Sequence, residues 1–250
     1  MTLRLETQGA VAHLIIDRAA KRNAFNQAMW DALPDLVAQA MANHDVRVLI
    51  LRSAEPGVFC AGADIGELSA NAANPDWLRA NQTAINRAQH DLTRAAKPTI
   101  ALIDGDCVGG GCGLALACDL RVASNQSRFG ITPAKLGLVY PLHDTKLLVD
   151  LVGPAAAKRI LFTGTLIDAA EAHRIGLIDE IADNADALID SMTSVSGHSQ
   201  RESKAMIRRI LDGQVADDAD TRALFADAFS GPDFREGVSA FLSKRKAFFE

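Results

Sequence analysis

Apolar residues first fall along this chain in short alternating or continuous runs, and past the middle they recur at helical spacing. LRLETQGAVAHLIID, residues 3 to 17, alternates and breaks at Gln8-Gly9, which predicts a hairpin of two strands. Behind Asn26, the positions Met29, Leu33, Leu36, Val37 and Ala40 predict a helix that Asn26 caps, running to about Met41 with a kink at Pro34. VRVLILR (46 to 52) and PTIALI (98 to 103) are continuous apolar runs of the kind buried strands carry, and LRVAS (120 to 124) predicts another strand. SAEPGVFCAGADI reads as a loop, and Pro75 behind Asn74 opens a helix to about Ala95. Strand, glycine loop, helix, strand is a β–α rhythm, so the first two-thirds is expected to be α/β. From Pro154 the pattern is almost unbroken helix, with Asp168 as an N-cap and Gly176 as a stop. The division expected is a core at residues 1–182 and a helical segment at 183–250.

The stretch GGGCGLALACD, residues 109 to 119, places three glycines directly before a helix-forming run. Glycine costs backbone entropy, so three together imply that the main chain must approach something closely. A dinucleotide fingerprint fails for want of a third glycine in register, and no GxxxxGK segment exists. What remains is a site of bare N–H groups at a helix N-terminus. Cys60-Ala61-Gly62-Ala63-Asp64 is a second loop of small residues. Two such loops can aim two N–H donors at one oxygen and so form an oxyanion hole. Tight helix–strand packing accounts for the same glycines equally well.

Composition narrows the class. The chain has 250 residues, 48% of them hydrophobic, which suffices for a substantial core. A net charge of −5 argues against broad nucleic-acid binding. No apolar run is long enough to span a bilayer and no basic, hydrophobic leader is visible, so a cytoplasmic protein without membrane attachment is expected. Cys60, Cys107, Cys112 and Cys118 fit no metal or disulfide spacing and read as small buried hydrophobes. The six histidines form no HExxH pair, so no metal is expected.

Several segments, in order, resemble the crotonase family, also called the enoyl-CoA hydratase/isomerase family. They are DRAAKRNAFN (17 to 26), VFCAGADI (58 to 65), KPTIALIDGDCVGGGCGLALACDLRVAS (97 to 124), RFGITPAKLGLVYP (128 to 141), LFTGTLIDAAEAHRIGLIDEI (161 to 181) and FREGVSAFLSKRK (234 to 246). The resemblance covers essentially the whole chain. It implies an α/β fold, a crotonase-like spiral of ββα units followed by a C-terminal helical segment used in trimerisation, as a homotrimer or a hexamer built as a dimer of trimers. It implies an acyl-CoA substrate whose thioester enolate is stabilised by the backbone N–H groups of Ala63 and Gly110. Coenzyme A would enter as part of the substrate, with no separate cofactor. By the same match Arg22, Ala24, Ala61, Asp64 and Ile65 would lie along the CoA path, with Lys21 and Arg22 offering charge to phosphates. Val108, Gly109, Gly113 and Pro133 would border the acyl site, and Lys244 or Lys246 would reach a phosphate across a subunit interface.

The chain departs from the family where acids are expected. Hydratases of the family hold a water between two glutamates, one directly after GGGC and one after the FGxP step. Here those positions are Gly113 and Pro133, the latter beside Thr132. The acid that some isomerases carry further along is Pro141 here. The nearby polar candidates are Tyr140, His143 and Asp144, with Glu67 and Asp106 as fallback acids beside the donor loops. TPAKLGLVY is similar to the TPxxLGxxY stretch of methylmalonyl-CoA decarboxylase in this family, which implies a role for Tyr140 in decarboxylating a malonyl-type thioester. The histidine that the decarboxylase carries in the AGxDI loop is Ala63 here. An acyl-CoA binder without catalysis is the third expectation. Asp119 is expected to be structural, bonded to nearby backbone.

Overall fold

The computed structural model describes residues 2–249. The hairpin is β1 (Leu3–Gln8) and β2 (Val11–Ile16), paired antiparallel around a turn at Gly9-Ala10. β1 is an edge strand and only its first residue is buried, whereas β3 (Val48–Ser53) in the sheet interior is buried almost throughout. The six-stranded sheet runs β1-β2-β3-β5-β7-β10, with β5 (Thr99–Ile103), β7 (Leu120–Ala123) and β10 (Glu180–Ile181) added in parallel.

A second sheet runs β4-β6-β8-β9, from β4 (Val58–Cys60), β6 (Asp106–Val108), β8 (Arg128–Gly130) and β9 (Ile167–Asp168). Each pass of the chain gives one strand to the large sheet and the next to the small one before entering a helix. β3 and β4 lead to α2 (Ile65–Asn71) and α3 (Pro75–Thr93). β5 and β6 lead to α4 (Gly110–Ala117), and β7 and β8 to α5 (Leu142–Thr163). The ββα spiral expected from the resemblance is therefore present. Its repeat puts the ends of β4 and β6 side by side, and the two loops singled out in the sequence follow those two strands.

Helix α1 (Gln27–Ala42) begins where Asn26 caps it, the side chain accepting from Met29 N at 3.1 Å. It continues as one helix through Pro34 to Ala42, close to the expected end at Met41. Met29, Trp30, Leu33, Val37 and Ala40 are buried along one face, and each large apolar side chain contributes roughly 1.5–3 kcal/mol, more in sum than the ~3 kcal/mol a proline costs. The presumed loop at 53 to 65 contains β4, and α2 follows with Asp64 as its N-cap. Helix α5 starts twelve residues ahead of the expected Pro154. Gly153 leaves helical geometry (φ 73°, ψ 164°) and divides it, so the pattern from Pro154 marked only the second half. Asp168 caps α6 (Ala169–Arg174) by accepting from Glu171 N at 2.8 Å.

Two side chains tie successive passes together. Asp119 accepts from Thr99 N (2.8 Å) and Oγ1 (3.1 Å), which is the backbone role expected of it. Buried Arg121 donates to the carbonyls of Leu177, Cys118 and Asp119 and to Asp179, so its charge is fully used. One compact unit runs to Ala95 and resumes from Thr99 to Ala185. The other joins Ala96–Pro98 to the chain from Asp186 onward and contains α7 (Asp186–Thr193), α8 (Gly197–Leu211), α9 (Ala219–Ala228) and α10 (Pro232–Leu242). Among the described residues no helix is long and apolar enough to cross a membrane.

Candidate active site

The loop after β4 and the start of α4 meet. Phe25 N donates to Gly62 O at 2.7 Å and Asp64 N to Phe25 O at 2.8 Å, so this short parallel bridge uses the groups on either side of Ala63. Alternation along an extended strand turns the N–H of Ala63 the other way. Gly110 is the first residue of α4, where an N–H has no acceptor within the helix. Neither N–H donates a hydrogen bond among the described residues. A Cβ on Gly110 would lie 3.5 Å from Ala63 N, so the two peptides are neighbours.

The three glycines have separate reasons. Gly109 takes φ 55° and ψ −118°, which side chains of L-residues avoid, and that turn delivers the chain from β6 into α4. Gly110 faces Ala63 and the Trp30 ring. Gly111 abuts the strand before the other loop, since its Cβ would stand 2.3 Å from Cys60 O. Close approach and packing thus both operate. Gly111→Ala is expected to lose about 1–3 kcal/mol by overpacking, because its obstacle is backbone. Denaturant midpoints check this; an unchanged midpoint would refute the contact.

Gly113 lies one turn on, and a Cβ there would fall 2.4 Å from Asp144 Oδ1, 2.4 Å from Gln89 Nε2 and 3.3 Å from Tyr140 Oη. The space that a side chain at 113 would take is filled from α3 and α5 instead. Asp144 is 2% exposed, and burial pushes its carboxyl up from 3.8 to about 6, with the Gln89 amide pulling the other way. Asp144 Oδ1 and Gln89 Oε1 are both buried without a hydrogen-bond partner. Tyr140 Oη donates to Gly109 O at 3.3 Å. Burial, then the Asp144 charge, raises this phenol well above its ordinary range, so it stays protonated.

The fallback acids are committed elsewhere. Asp106 receives Arg22 Nη2 at 2.6 Å and Arg128 Nε and Nη2 at 2.8 and 3.0 Å. Glu67 Oε2 accepts from Gln27 N at 2.8 Å, at the start of α1. Cys60 is buried, and burial pushes its thiol up to about 12; it donates to Asn23 O at 3.2 Å. Cys112 Sγ donates to Cys107 O at 2.9 Å, so these cysteines serve the core rather than as nucleophiles.

Along the expected CoA path, Arg22 has left-handed backbone (φ 52°) and a largely exposed side chain beyond its contact with Asp106. Its carbonyl accepts from Ala61 N at 3.0 Å, which joins the Arg22–Ala24 turn to the Ala63 loop. The Asp64 carboxylate is consumed within the chain, by Arg18 at 2.8 Å and by the N–H groups of Gly66 and Glu67, and the Arg18 bond holds it below the usual carboxylate range. Ile65 is half-exposed at the first position of α2. Val108 ends β6, and Pro133 opens the 3₁₀ turn Pro133–Leu136, with no acid in that turn. Lys244 lies in the second unit just after α10, with φ 53°. Gln89 went unnoticed in the sequence. Its signal was a polar residue on the buried face of α3, among Ala84, Ala88 and Leu92.

Comparison with known proteins agrees along the whole chain. A family model described as enoyl-CoA hydratase/isomerase matches residues 6–250. The crotonyl-CoA hydratase of Syntrophomonas wolfei is 32% identical, over 98% of this chain and 96% of its own. A crystal structure of a Hyphomonas neptunium protein assigned to the enoyl-CoA hydratase/isomerase family is 41% identical with a TM-score of 0.96, covering 100% of this chain and 98% of that one. An enoyl-CoA hydratase/carnithine racemase from Magnetospirillum magneticum superposes with a TM-score of 0.93 at 31% identity, over 100% and 96% of the two chains.

Proposed function

Because the chain belongs to the enoyl-CoA hydratase/isomerase family, we propose that it transforms an acyl-CoA through a thioester enolate held by the N–H groups of Ala63 and Gly110. The observation that carries this is the pairing of two unclaimed backbone donors, one of them at the positive end of α4. As negative charge develops on the thioester oxygen, both donors strengthen their bonds to it, and no side chain has to reorganise.

Proton relocation, as in moving a double bond from the 3- to the 2-position of an enoyl thioester, suits the site better than glutamate-assisted hydration. Hydration needs a water oriented and deprotonated by one acid and a proton delivered by another. Gly113 and Pro133 supply neither. Arg22, Ala24, Ala61, Asp64 and Ile65 would follow the CoA moiety, Asp64 through its backbone, and Lys244 would meet a phosphate from a neighbouring subunit of a trimer or hexamer. Coenzyme A arrives with the substrate and no other cofactor is needed.

The Tyr140 hydroxyl, buried beside Gly109 and the space at Gly113, favours a second reading: loss of CO₂ from a malonyl-type thioester, which yields the same enolate. Mass-spectrometric turnover of a panel of 3-enoyl-, 2-enoyl- and malonyl-type CoA esters decides. Conversion of 3-enoyl esters is the expected result, CO₂ loss from a malonyl ester selects the second reading, and binding without turnover of any ester refutes both.

A further inference from the structure

We propose that Asp144 is the proton-transfer residue of this site, its carboxyl reaching from α5 into the position that the acid absent from residue 113 would command. The inference rests on the acyl-CoA reading above and adds to it the group that moves the proton.

Three observations converge on Asp144. The first is placement: Asp144 Oδ1 stands within 2.4 Å of where a side chain on Gly113 would start, and Gly113 is one turn into the helix whose first N–H is an oxyanion donor. The second is satisfaction. Buried polar atoms in folded proteins almost always have partners, yet Asp144 Oδ1 and Gln89 Oε1 have none. A buried carboxylate with one oxygen left unpartnered is costly to stability, and perturbed groups of this kind cluster at functional sites. The third is that three of the other candidates are committed. Asp106 is held by two arginines, Glu67 caps α1, and Tyr140 donates to Gly109 O and holds its proton too tightly to act as a base.

The step balances without a co-reactant. The Asp144 carboxylate takes the C2 proton of the bound thioester, so that C–H breaks and O–H forms. The C–H electron pair becomes the enolate, whose oxygen rests on Ala63 and Gly110. Return of the proton to C2 regenerates substrate, and return to C4 of a 3-enoyl chain completes the double-bond shift. Gln89 lies against the carboxyl and orients it.

The test is deuterium uptake from D₂O into 3-butenoyl-CoA, followed by mass spectrometry alongside calorimetric binding of the same ester. Wild-type protein incorporates deuterium. Asp144→Asn, nearly isosteric, lowers the rate by about 10²–10⁴ with binding kept within a few-fold, and Asp144→Glu recovers part of the loss. If Asp144→Asn exchanges within about twofold of wild type, the assignment to Asp144 is overturned while the acyl-CoA reading stands. If wild type neither binds nor exchanges the ester, both fall. Asp144→Ser supplies the same comparison should the asparagine variant not fold, with intact exchange again overturning the proposal.

Discussion

Replacing Gly110 with proline is expected to cost about 10²–10³ in turnover, the usual effect of deleting one oxyanion donor. The substitution replaces the N–H hydrogen with the ring Cδ, so the donor is lost while the helix start is kept. Gly110 is the first residue of α4, the helical position at which proline is tolerated, and a Cβ there would meet its neighbours at 3.5 Å, ordinary contact. The check is kcat/KM on the best ester of the panel, with circular dichroism to show that the fold is kept. A rate within a few-fold of wild type, in a folded variant, would mean that this peptide does not touch the reacting oxygen.

Asp144→Asn is expected to stabilise the fold near neutral pH by about 2–3 kcal/mol and to have little effect near pH 4. Burial holds the Asp144 carboxyl at about 6 in the folded chain against an ordinary 3.8, and each unit of difference is worth about 1.36 kcal/mol. The folded state therefore binds this proton more tightly than the unfolded state. Asp144's contribution to stability is complete below about pH 4 and is lost as pH rises through about 6, leaving a buried charge faced by the Gln89 amide, its own backbone N–H and the Tyr140 phenol. Denaturant melts of both proteins at pH 4 and 7.5 measure the difference. Equal differences at the two pH values would show that the carboxyl is not desolvated. Gain of stability on removing a group whose loss also abolishes exchange is the pattern of a residue kept for function.

The spiral was legible in outline because its large-sheet strands are continuous apolar runs and its caps are conventional: Asn26, Asn74 and Asp168 all accept from the turn they precede. The small sheet was not, since β4, β6 and β8 are three residues each, too short for a period to register. At the site, the two loops were readable because glycines and small residues advertise close approach, whereas the choice of Ala63 and Gly110 within them came from the family resemblance. The tenancy of the Gly113 space was not, because Gln89 and Asp144 come from helices 24 residues before and 31 residues after it, and only folding reveals that they meet. Asp144 was visible in the sequence as one of several polar residues after Tyr140, with nothing there to set it above His143.

A crystal structure of the protein with an intact acyl-CoA bound tests the central claim most directly. The account predicts one thioester oxygen within about 2.7–3.1 Å of both Ala63 N and Gly110 N, with C2 facing the Asp144 carboxyl. A thioester oxygen bonded elsewhere, with those two N–H groups turned apart or left to solvent, would contradict it.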